Sequence, residues 1–164
     1  MNLPLIATLA TCGMIAIAAC VVSGAGEPAW EDMMETREIN PWTWQAGFGF
    51  AHGKEFTGAS RILMLSGQCA TGANGIPQHK DDMAAQLKLA VANLGEVLKQ
   101  AGMDYSNVTG IRVYTTDMDA TLANWESLIA PFSAAGNSPA STLVGVTRLF
   151  SPDLLVEVEA VACA

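Results

Sequence analysis

Basic side chains are scarce in this sequence. The 164 residues include 8 Lys and Arg against 16 Asp and Glu, which gives a formal net charge of −8. The basic residues are also scattered along the chain, whereas binding to a phosphate backbone needs a concentrated basic surface. This balance argues against a protein that binds nucleic acid and favours a solvated acidic surface.

Side chains that ligate metals are few as well. The two histidines, His52 and His79, are far apart, and no two of the four cysteines are spaced as a zinc-binding pair. We therefore expect no metal site. Only Cys69 and Cys163 fall in the part of the chain that we predict to fold, and we interpret both as buried thiols.

Charged side chains are absent from residues 3–22, which are almost wholly apolar. The run Ile17-Ala18-Ala19-Cys20 is typical of a lipoprotein signal that ends at a lipidated cysteine, and about twenty apolar residues also suffice for a membrane anchor. A third interpretation is an artefactual extension of a protein that starts at Met33 or Met34. The first two predict an exported or membrane-anchored protein, and the third a cytoplasmic one. Residues 1–33 are left out of the fold prediction.

Residues 34–164 carry strand and helix patterns in a regular order. Alternation of Trp44, Ala46, Phe48 and Phe50 predicts a strand at 44–51. Helical periodicity, acidic N-caps and terminal glycines predict two helices. The other strands are predicted at 55–57, 61–65, 108–116, 142–149 and 154–161. The two helices are predicted at 81–102 and 119–136. This order predicts a two-layer α+β domain with a mixed sheet and both helices on one face.

A two-layer domain leaves the other face of its sheet uncovered. The valines of the two last strands are the residues predicted to lie there: Val144, Val146, Val156, Val158 and Val161. A free face that is half apolar favours oligomerisation.

Several motifs occur in this same order along the chain. They are Leu65-Ser66-Gly67-Gln68, Gly75-Ile76-Pro77, Asp82 with Gln86, Asn93-Leu94, Val113-Tyr114-Thr115-Thr116-Asp117, Pro139-Ala140-Ser141-Thr142 and Val156-Glu157-Val158-Glu159-Ala160. Taken together, these motifs resemble the Rid family, also called YjgF-type proteins or reactive-intermediate deaminases. The resemblance covers nearly all of the chain after Met34.

The resemblance implies a chorismate-mutase-like fold of the bacillus type and a homotrimer whose sheets pack into a central barrel. It also implies clefts between subunits, where family members bind small carboxylates. The best-known activity of the family is the hydrolysis of reactive enamines and imines to a keto acid and ammonia. No cofactor or metal is implied.

Three residues match site positions of the family. Glu157 corresponds to the glutamate that helps to position the attacking water, and Ser66 and Asn124 correspond to further residues of the cleft. Each also has a local interpretation. Ser66 can satisfy backbone groups in a turn, Asn124 can form a hydrogen bond within its helix, and Glu157 can be a solvated sheet residue beside Glu159.

Three further positions differ from those of the active members. Ser141 stands where an arginine follows Pro-Ala, Leu143 replaces a cysteine, and Phe50 corresponds to a tyrosine. A serine cannot form the paired hydrogen bonds by which a guanidinium holds a carboxylate. These changes make the predicted cleft more apolar, and Trp42, Trp44, Phe48 and Phe50 either line it or pack in the core.

Two functions therefore remain open. The first is a hydrolase of an enamine or imine with a non-standard substrate, in which Glu157 positions water. The second is a trimer that binds a small metabolite without catalysis. A ribonuclease, an activity attached to some family members, fits the acidic chain least.

Overall fold

The computed structural model describes residues 34–164. The predictions made for residues 1–33, including the signal, the anchor and the lipidation at Cys20, lie outside the described residues. Within the described part, no helix has both the length and the apolar character that a membrane span requires.

The described chain alternates strands and helices in the order ββ β α β αα ββ. The strands are β1 Glu35–Ile39, β2 Gly53–Thr57, β3 Ile62–Cys69, β4 Val108–Thr115, β5 Ala140–Gly145 and β6 Val156–Cys163. The α-helices are α1 Met83–Gln100, α2 Met118–Ala123 and α3 Glu126–Ala134, and two short 3-10 helices span Trp44–Phe48 and Tyr105–Asn107. The strands predicted at 55–57, 61–65, 108–116 and 154–161 and the helix predicted at 81–102 are confirmed within a few residues.

A mixed four-stranded sheet organises the domain. Its order is β3-β6-β4-β5, in which β4 and β5 run parallel and the other neighbours antiparallel. Strands β1 and β2 form a separate antiparallel pair. Of this pair, only residues 55–57 of β2 were predicted as a strand, and β1 was not predicted. The predicted mixed sheet is thus confirmed, with β5 at one edge.

Helix packing covers one face of this sheet. Strand β6 alternates strictly, so that Val156, Val158 and Ala160 are buried while Glu157 and Glu159 are half-exposed. The buried residues join the core formed by α1, α3 and the sheet, whose largest members are Phe132, Leu87, Leu94, Leu98 and Leu128. The assignment of Val156 and Val158 to the free face was wrong, because an alternating strand puts both valines on the side opposite to the two glutamates.

Large apolar side chains are exposed on the opposite face. Ile62 and Met64 of β3 are 68% and 80% exposed, and Val144 of β5 is 39% exposed. Met64 lies opposite Val161 in the β3–β6 ladder, so these residues share one side of the sheet. The free face is half apolar, as predicted, since it also carries Glu157 and Glu159 of β6, and its exposed apolar residues come largely from β3.

The predicted strand at 44–51 is wrong. Residues Trp44–Phe48 form a 3-10 helix that Gly49 ends in the left-handed region, at φ +67°. Trp44 and Phe48 are 60% and 46% exposed, whereas Gln45 between them is buried. The alternating aromatic residues therefore do not face the core. Alternation indicates a strand only when one set of the alternating residues is buried.

The second predicted helix consists of two helices. Asp117, not Asp119, caps α2, since its side chain accepts a hydrogen bond from the Ala120 amide at 2.9 Å. Asn124 then ends α2 and donates its side-chain amide to the Ala120 carbonyl at 2.9 Å. Asparagine side chains compete for helix backbone groups in this way. The strand predicted at 142–149 is also shifted, since β5 begins at Ala140 and ends at Gly145 rather than at Leu149.

Candidate functional site

An aromatic cavity lies at the β5 edge of the sheet, on the face that the helices cover. Its volume is about 240 Å³. We call it the aromatic cavity, and it is lined by Trp44, Phe48, Phe50, Leu122, Trp125, Ser141 and Leu143. No member of this set is charged, and Ser141 is its one hydroxyl.

The sheet register brings Ser141 and Leu143 to this cavity. Ser141 lies opposite Ile111 and Leu143 opposite Val113 in the parallel β4–β5 ladder. Ile111 and Val113 are buried, and because neighbouring residues in a ladder share a face, Ser141 and Leu143 point to the helix side. There they meet the aromatic residues of the preceding loop.

The 3-10 helix is held against α3 by two contacts. The Trp125 indole donates a hydrogen bond to the Phe48 carbonyl at 2.8 Å. Gly49 packs so closely on α3 that an added Cβ would lie 2.8 Å from Ile129 Cδ1. A real Cβ essentially never comes so near another heavy atom, so Gly49 meets both a conformational and a steric requirement.

We expect Gly49→Ala to destabilise the domain by about 1–3 kcal/mol, because alanine is strained at a positive φ and clashes with Ile129. Chemical denaturation followed by circular dichroism measures the change. Gly47→Ala is the matched control, since Gly47 has open space around it and lies in the same 3-10 helix. Equal stability of the two variants would contradict the assigned role of Gly49.

His52 belongs to the same aromatic group. Its ring centroid lies 4.8 Å from that of Trp44, 5.1 Å from that of Trp42 and 5.8 Å from that of Phe50, each with edge-to-face geometry. Edge-to-face pairs at these distances stabilise aromatic clusters. Trp42, Trp44, Phe48 and Phe50 thus pack on one another or on His52, and three of them also line the cavity.

Glu157 lies on the other face of the sheet, beside β3. A Cβ at Gly67 would overlap Oε1 of Glu157 and lie 2.6 Å from its carboxyl carbon. The carboxylate therefore sits directly over the Gly67 backbone, in space that only a glycine leaves open. Tyr114 of β4 and Cys69 of β3 are its partners across the two ladders.

The two glutamates of β6 have different surroundings. Arg112 donates to Glu159 at 2.5 Å. Within residues 34–164, Glu157 forms no ion pair. Glu157 and Glu159 share one face, as the alternation predicted, and only Glu157 keeps its carboxylate free of a cation.

The Cys69 thiol lies next to the Glu157 carboxylate. Burial, the nearby negative charge and hydrogen bonding to Glu157 together raise the pKa of Cys69 to about 12. Cys69 and Cys163 are both free and buried, which confirms their interpretation as buried thiols.

We expect Cys69 to resist alkylation in the folded chain. A pKa of about 12 leaves a thiolate fraction of only about 1 in 10,000 at pH 8, and the thiolate is the reactive form. Peptide mapping after iodoacetamide treatment should show Cys69 unmodified in buffer and alkylated in denaturant. Rapid alkylation of Cys69 in the native protein would show that its thiol is neither buried nor protonated.

Comparison with known proteins defines the family. The family model described as Endoribonuclease L-PSP matches residues 51–164. A Rid-family protein of unknown function from Yersinia pestis, YyfB, superposes with a TM-score of 0.69 at 37% identity, over 79% of this chain and 98% of that chain. The chain belongs to the Rid (YjgF-type) family.

One further relative agrees with this assignment, and one further structure shares the fold. A RutC family protein from Synechocystis is 30% identical over 105 residues, which are 63% of this chain and 79% of that protein. The structure of TdcF from Escherichia coli with bound serine superposes with a TM-score of 0.57 at 23% identity, over 70% of this chain and 87% of that chain. The mixed sheet with helices on one face is the chorismate-mutase-like fold of these Rid proteins, as the sequence predicted.

Within this Rid chain the predicted site residues form two groups. Phe50, Ser141 and Leu143 line the aromatic cavity, whereas Glu157 lies on the opposite face. Ser66 is exposed at the bulge of β3, next to the Gly67 backbone under Glu157. One chain does not bring the two groups together.

Asn124 is placed beside the first group. Its side chain is used within α2, in the hydrogen bond to the Ala120 carbonyl, as its local interpretation expected. Its neighbours Leu122 and Trp125 line the cavity instead. Both fall within the single helix predicted at 119–136, and neither was predicted as a site residue.

Two other polar side chains that could bind a ligand, Arg148 and His79, lie away from the aromatic cavity. Arg148 lies beyond the end of β5 and is exposed, and its Nε donates to the Leu149 carbonyl at 3.3 Å. His79 is exposed in the loop before α1. Across residues 34–164, no group of three or more Cys, His, Asp or Glu side chains is arranged to hold a metal ion.

A second hollow of about 250 Å³ opens near the same edge of the sheet. His52, Arg112, Ser141, Thr142 and Glu159 contribute its polar lining. The ion pair between Arg112 and Glu159 neutralises its charges. His52 of this lining has a buried Nε2 without a hydrogen-bond partner within residues 34–164. The aromatic cavity, by contrast, has no charged side chain in its lining, and the Glu157 carboxylate forms no ion pair within the same residues.

Proposed function

We propose that this Rid protein is a hydrolase that converts a reactive enamine or imine into a carbonyl compound and ammonia. We further propose that it acts as a homotrimer whose active sites lie between subunits. The observation that carries the proposal is the position of Glu157, whose carboxylate is fixed over Gly67 and carries no ion pair within the described chain.

The geometry of one chain supports a cleft shared between copies. Glu157 lies opposite Tyr114, and Tyr114 lies opposite Val144. Ser141 is thus two strands, or about 10 Å, to the side of Glu157 and three residues, or about 10 Å, along the strand direction. The two side chains also point to opposite faces. A cleft that contains both needs Glu157 from one copy and the aromatic cavity from another.

Exposed apolar residues support the same assembly. Ile62 and Met64 are exposed to solvent on the free sheet face of the single chain. Packing of three such faces would bury them, and burial of apolar area is the main favourable term in association.

The chemistry needs one base and one bound water. Glu157 takes a proton from the water as its oxygen attacks the carbon of the C=N bond, and returns that proton to the nitrogen to give the carbinolamine. The hydroxyl proton of the carbinolamine then passes to the nitrogen in the same way, and the C–N bond breaks to release ammonia. The balanced reaction is R₂C=NH + H₂O → R₂C=O + NH₃. A positioned carboxylate contributes by proton transfer and by orienting the water.

The test is ammonia release from freshly generated imines. An amine oxidase supplies neutral imines and an amino-acid oxidase supplies imines that bear a carboxylate, with catalase present to remove peroxide. We expect the full chain to accelerate ammonia release from at least one imine above the rate in buffer. No acceleration with either class would count decisively against the hydrolase.

The alternative is a trimer that binds a metabolite without catalysis. It is favoured by the lining of the aromatic cavity, which holds Ser141 and no guanidinium. It predicts that a ligand raises the melting temperature and that Glu157→Ala leaves every measured rate unchanged. Ribonuclease activity, which the description of the family model names, is disfavoured by the net charge of −8, and an RNA cleavage assay at physiological salt checks it.

A further inference from the structure

The lining of the aromatic cavity indicates which ligands it accepts. Four aromatic rings and two leucines surround it, and no side chain of the lining carries a charge. A carboxylate buried there would lose its hydration without gaining a cation, which is strongly unfavourable. The cavity is therefore unsuited to the acidic end of a small amino-acid derivative.

The size of the cavity agrees with a ring. Its volume is about 240 Å³, whereas an apolar cavity of about 150 Å³ is enough to bind benzene. The walls present ring edges and faces, with Trp44 and Phe50 at 5.8 Å and 71° and Trp44 and Phe48 at 6.4 Å and 76°. An inserted ring would extend this edge-to-face arrangement.

The polar groups of the lining are few. The Trp125 indole N–H is already bonded to the Phe48 carbonyl at 2.8 Å, so it offers nothing to a ligand. Ser141 supplies a hydroxyl, which can both donate and accept and so can bind a neutral nitrogen or oxygen.

We propose that the aromatic cavity selects imines that bear an aromatic ring or a branched apolar group and no carboxylate. This inference rests on the proposed function, since it names the substrate class of the same cleft. Ser141 is the residue that determines the specificity, because it stands where a cation would be needed for an acidic substrate.

Four stable probes separate the ring from the carboxylate. Phenylacetamide has a ring and no charge, phenylpyruvate has both a ring and a carboxylate, acetamide has neither, and pyruvate has only the carboxylate. Ligand-observed NMR titration of the full chain gives the four dissociation constants. We expect phenylacetamide to bind at least about tenfold more tightly than the other three. Burial of a phenyl ring is worth about that factor or more over acetamide and pyruvate, and the carboxylate of phenylpyruvate would be buried without a cation.

Variants test the assignment of residues. Phe48→Ala should weaken phenylacetamide binding several-fold, whereas Phe150→Ala, which removes an exposed ring outside the cavity, should not. Ser141→Arg should reverse the preference and favour phenylpyruvate, and Ser141→Gln, of similar length without charge, should not. Circular dichroism spectra confirm that each variant is folded.

Binding of pyruvate or phenylpyruvate to the wild type as tight as that of phenylacetamide would overturn the inference, and so would failure of all four probes to bind at millimolar concentration. The outcome is distinct from that of the ammonia assay. Binding of phenylacetamide without ammonia release from any imine would contradict the hydrolase function and support the proposed ligand selectivity. Ammonia release from carboxylated imines alone, without phenylacetamide binding, would support the hydrolase function and contradict the proposed selectivity.

Discussion

Replacement of Glu157 by glutamine is expected to lower kcat/KM for imine hydrolysis by about 100-fold or more while the fold is retained. Glutamine has nearly the shape of glutamate and keeps an oxygen beside Cys69, but it cannot take a proton from water. Loss of a positioned general base typically removes a factor of about 10²–10⁴ in rate. Ammonia release measures the loss, and ligand titration shows that binding is unchanged.

Glu159→Gln is the matched control for this experiment. It removes the neighbouring carboxylate of the same strand face, which Arg112 already neutralises, so the rate should change less than about twofold because Glu159 has no role in the reaction. Gly67→Ala gives a second check, because the added Cβ occupies the space of the Glu157 carboxyl group. It should reduce the rate nearly as far as Glu157→Gln does. Full activity of Glu157→Gln would remove Glu157 from the mechanism.

Replacement of Gln86 by leucine is expected to give the largest loss of stability, about 3–4 kcal/mol. Gln86 is completely buried in α1. Its Nε2 donates to the carbonyls of His79 and Asp153 at 3.1 and 2.8 Å, and its Oε1 accepts from the Leu155 amide at 2.8 Å. Leucine fits the volume but leaves the Asp153 carbonyl and the Leu155 amide unpaired, each at a cost of about 1–3 kcal/mol when buried. The His79 carbonyl keeps its hydrogen bond from the Asp82 amide at 3.0 Å.

Urea denaturation of Gln86→Leu and of Gln100→Leu measures this effect. Gln100 lies at the exposed end of the same helix, so its replacement should change the free energy of unfolding by less than about 0.5 kcal/mol. A domain of this size is stable by only about 5–15 kcal/mol, and a loss of 3–4 kcal/mol is therefore easily measured. Equal midpoints for the two variants would show that the hydrogen bonds of Gln86 contribute nothing net.

Most helices and strands were predictable because their signals are local. An apolar stripe at helical spacing follows from the geometry of one helix, and Asp82 caps α1 through its own neighbour Ala85 at 3.0 Å. The same logic failed at 44–51, where the aromatic residues alternate for a reason other than burial in the core. The exposed strand β1 carries no apolar alternation at all, so hydrophobic periodicity gives no signal for it.

The candidate site was predictable only in part. The motifs indicated Ser66, Phe50, Ser141, Leu143, Asn124 and Glu157, and the structure divides them between two faces of the sheet. Trp125 and Leu122 were not recognised as site residues, since in the sequence they look like any other apolar helix positions. The role of Gly67 was not recognised either, because the need for a glycine arises from Glu157, on a strand 90 residues later in the chain.

The order of most elements after residue 53, the acidic surface, the family and the absence of an arginine at position 141 follow from the amino-acid sequence alone, because each depends on residue type and on spacing over a few turns or strands. The aromatic cavity, the seat of Glu157 over Gly67 and the buried bonds of Gln86 were decided by the tertiary structure. Each of these joins segments that are distant along the chain, and such contacts form only when the sheet register and the helix packing are in place.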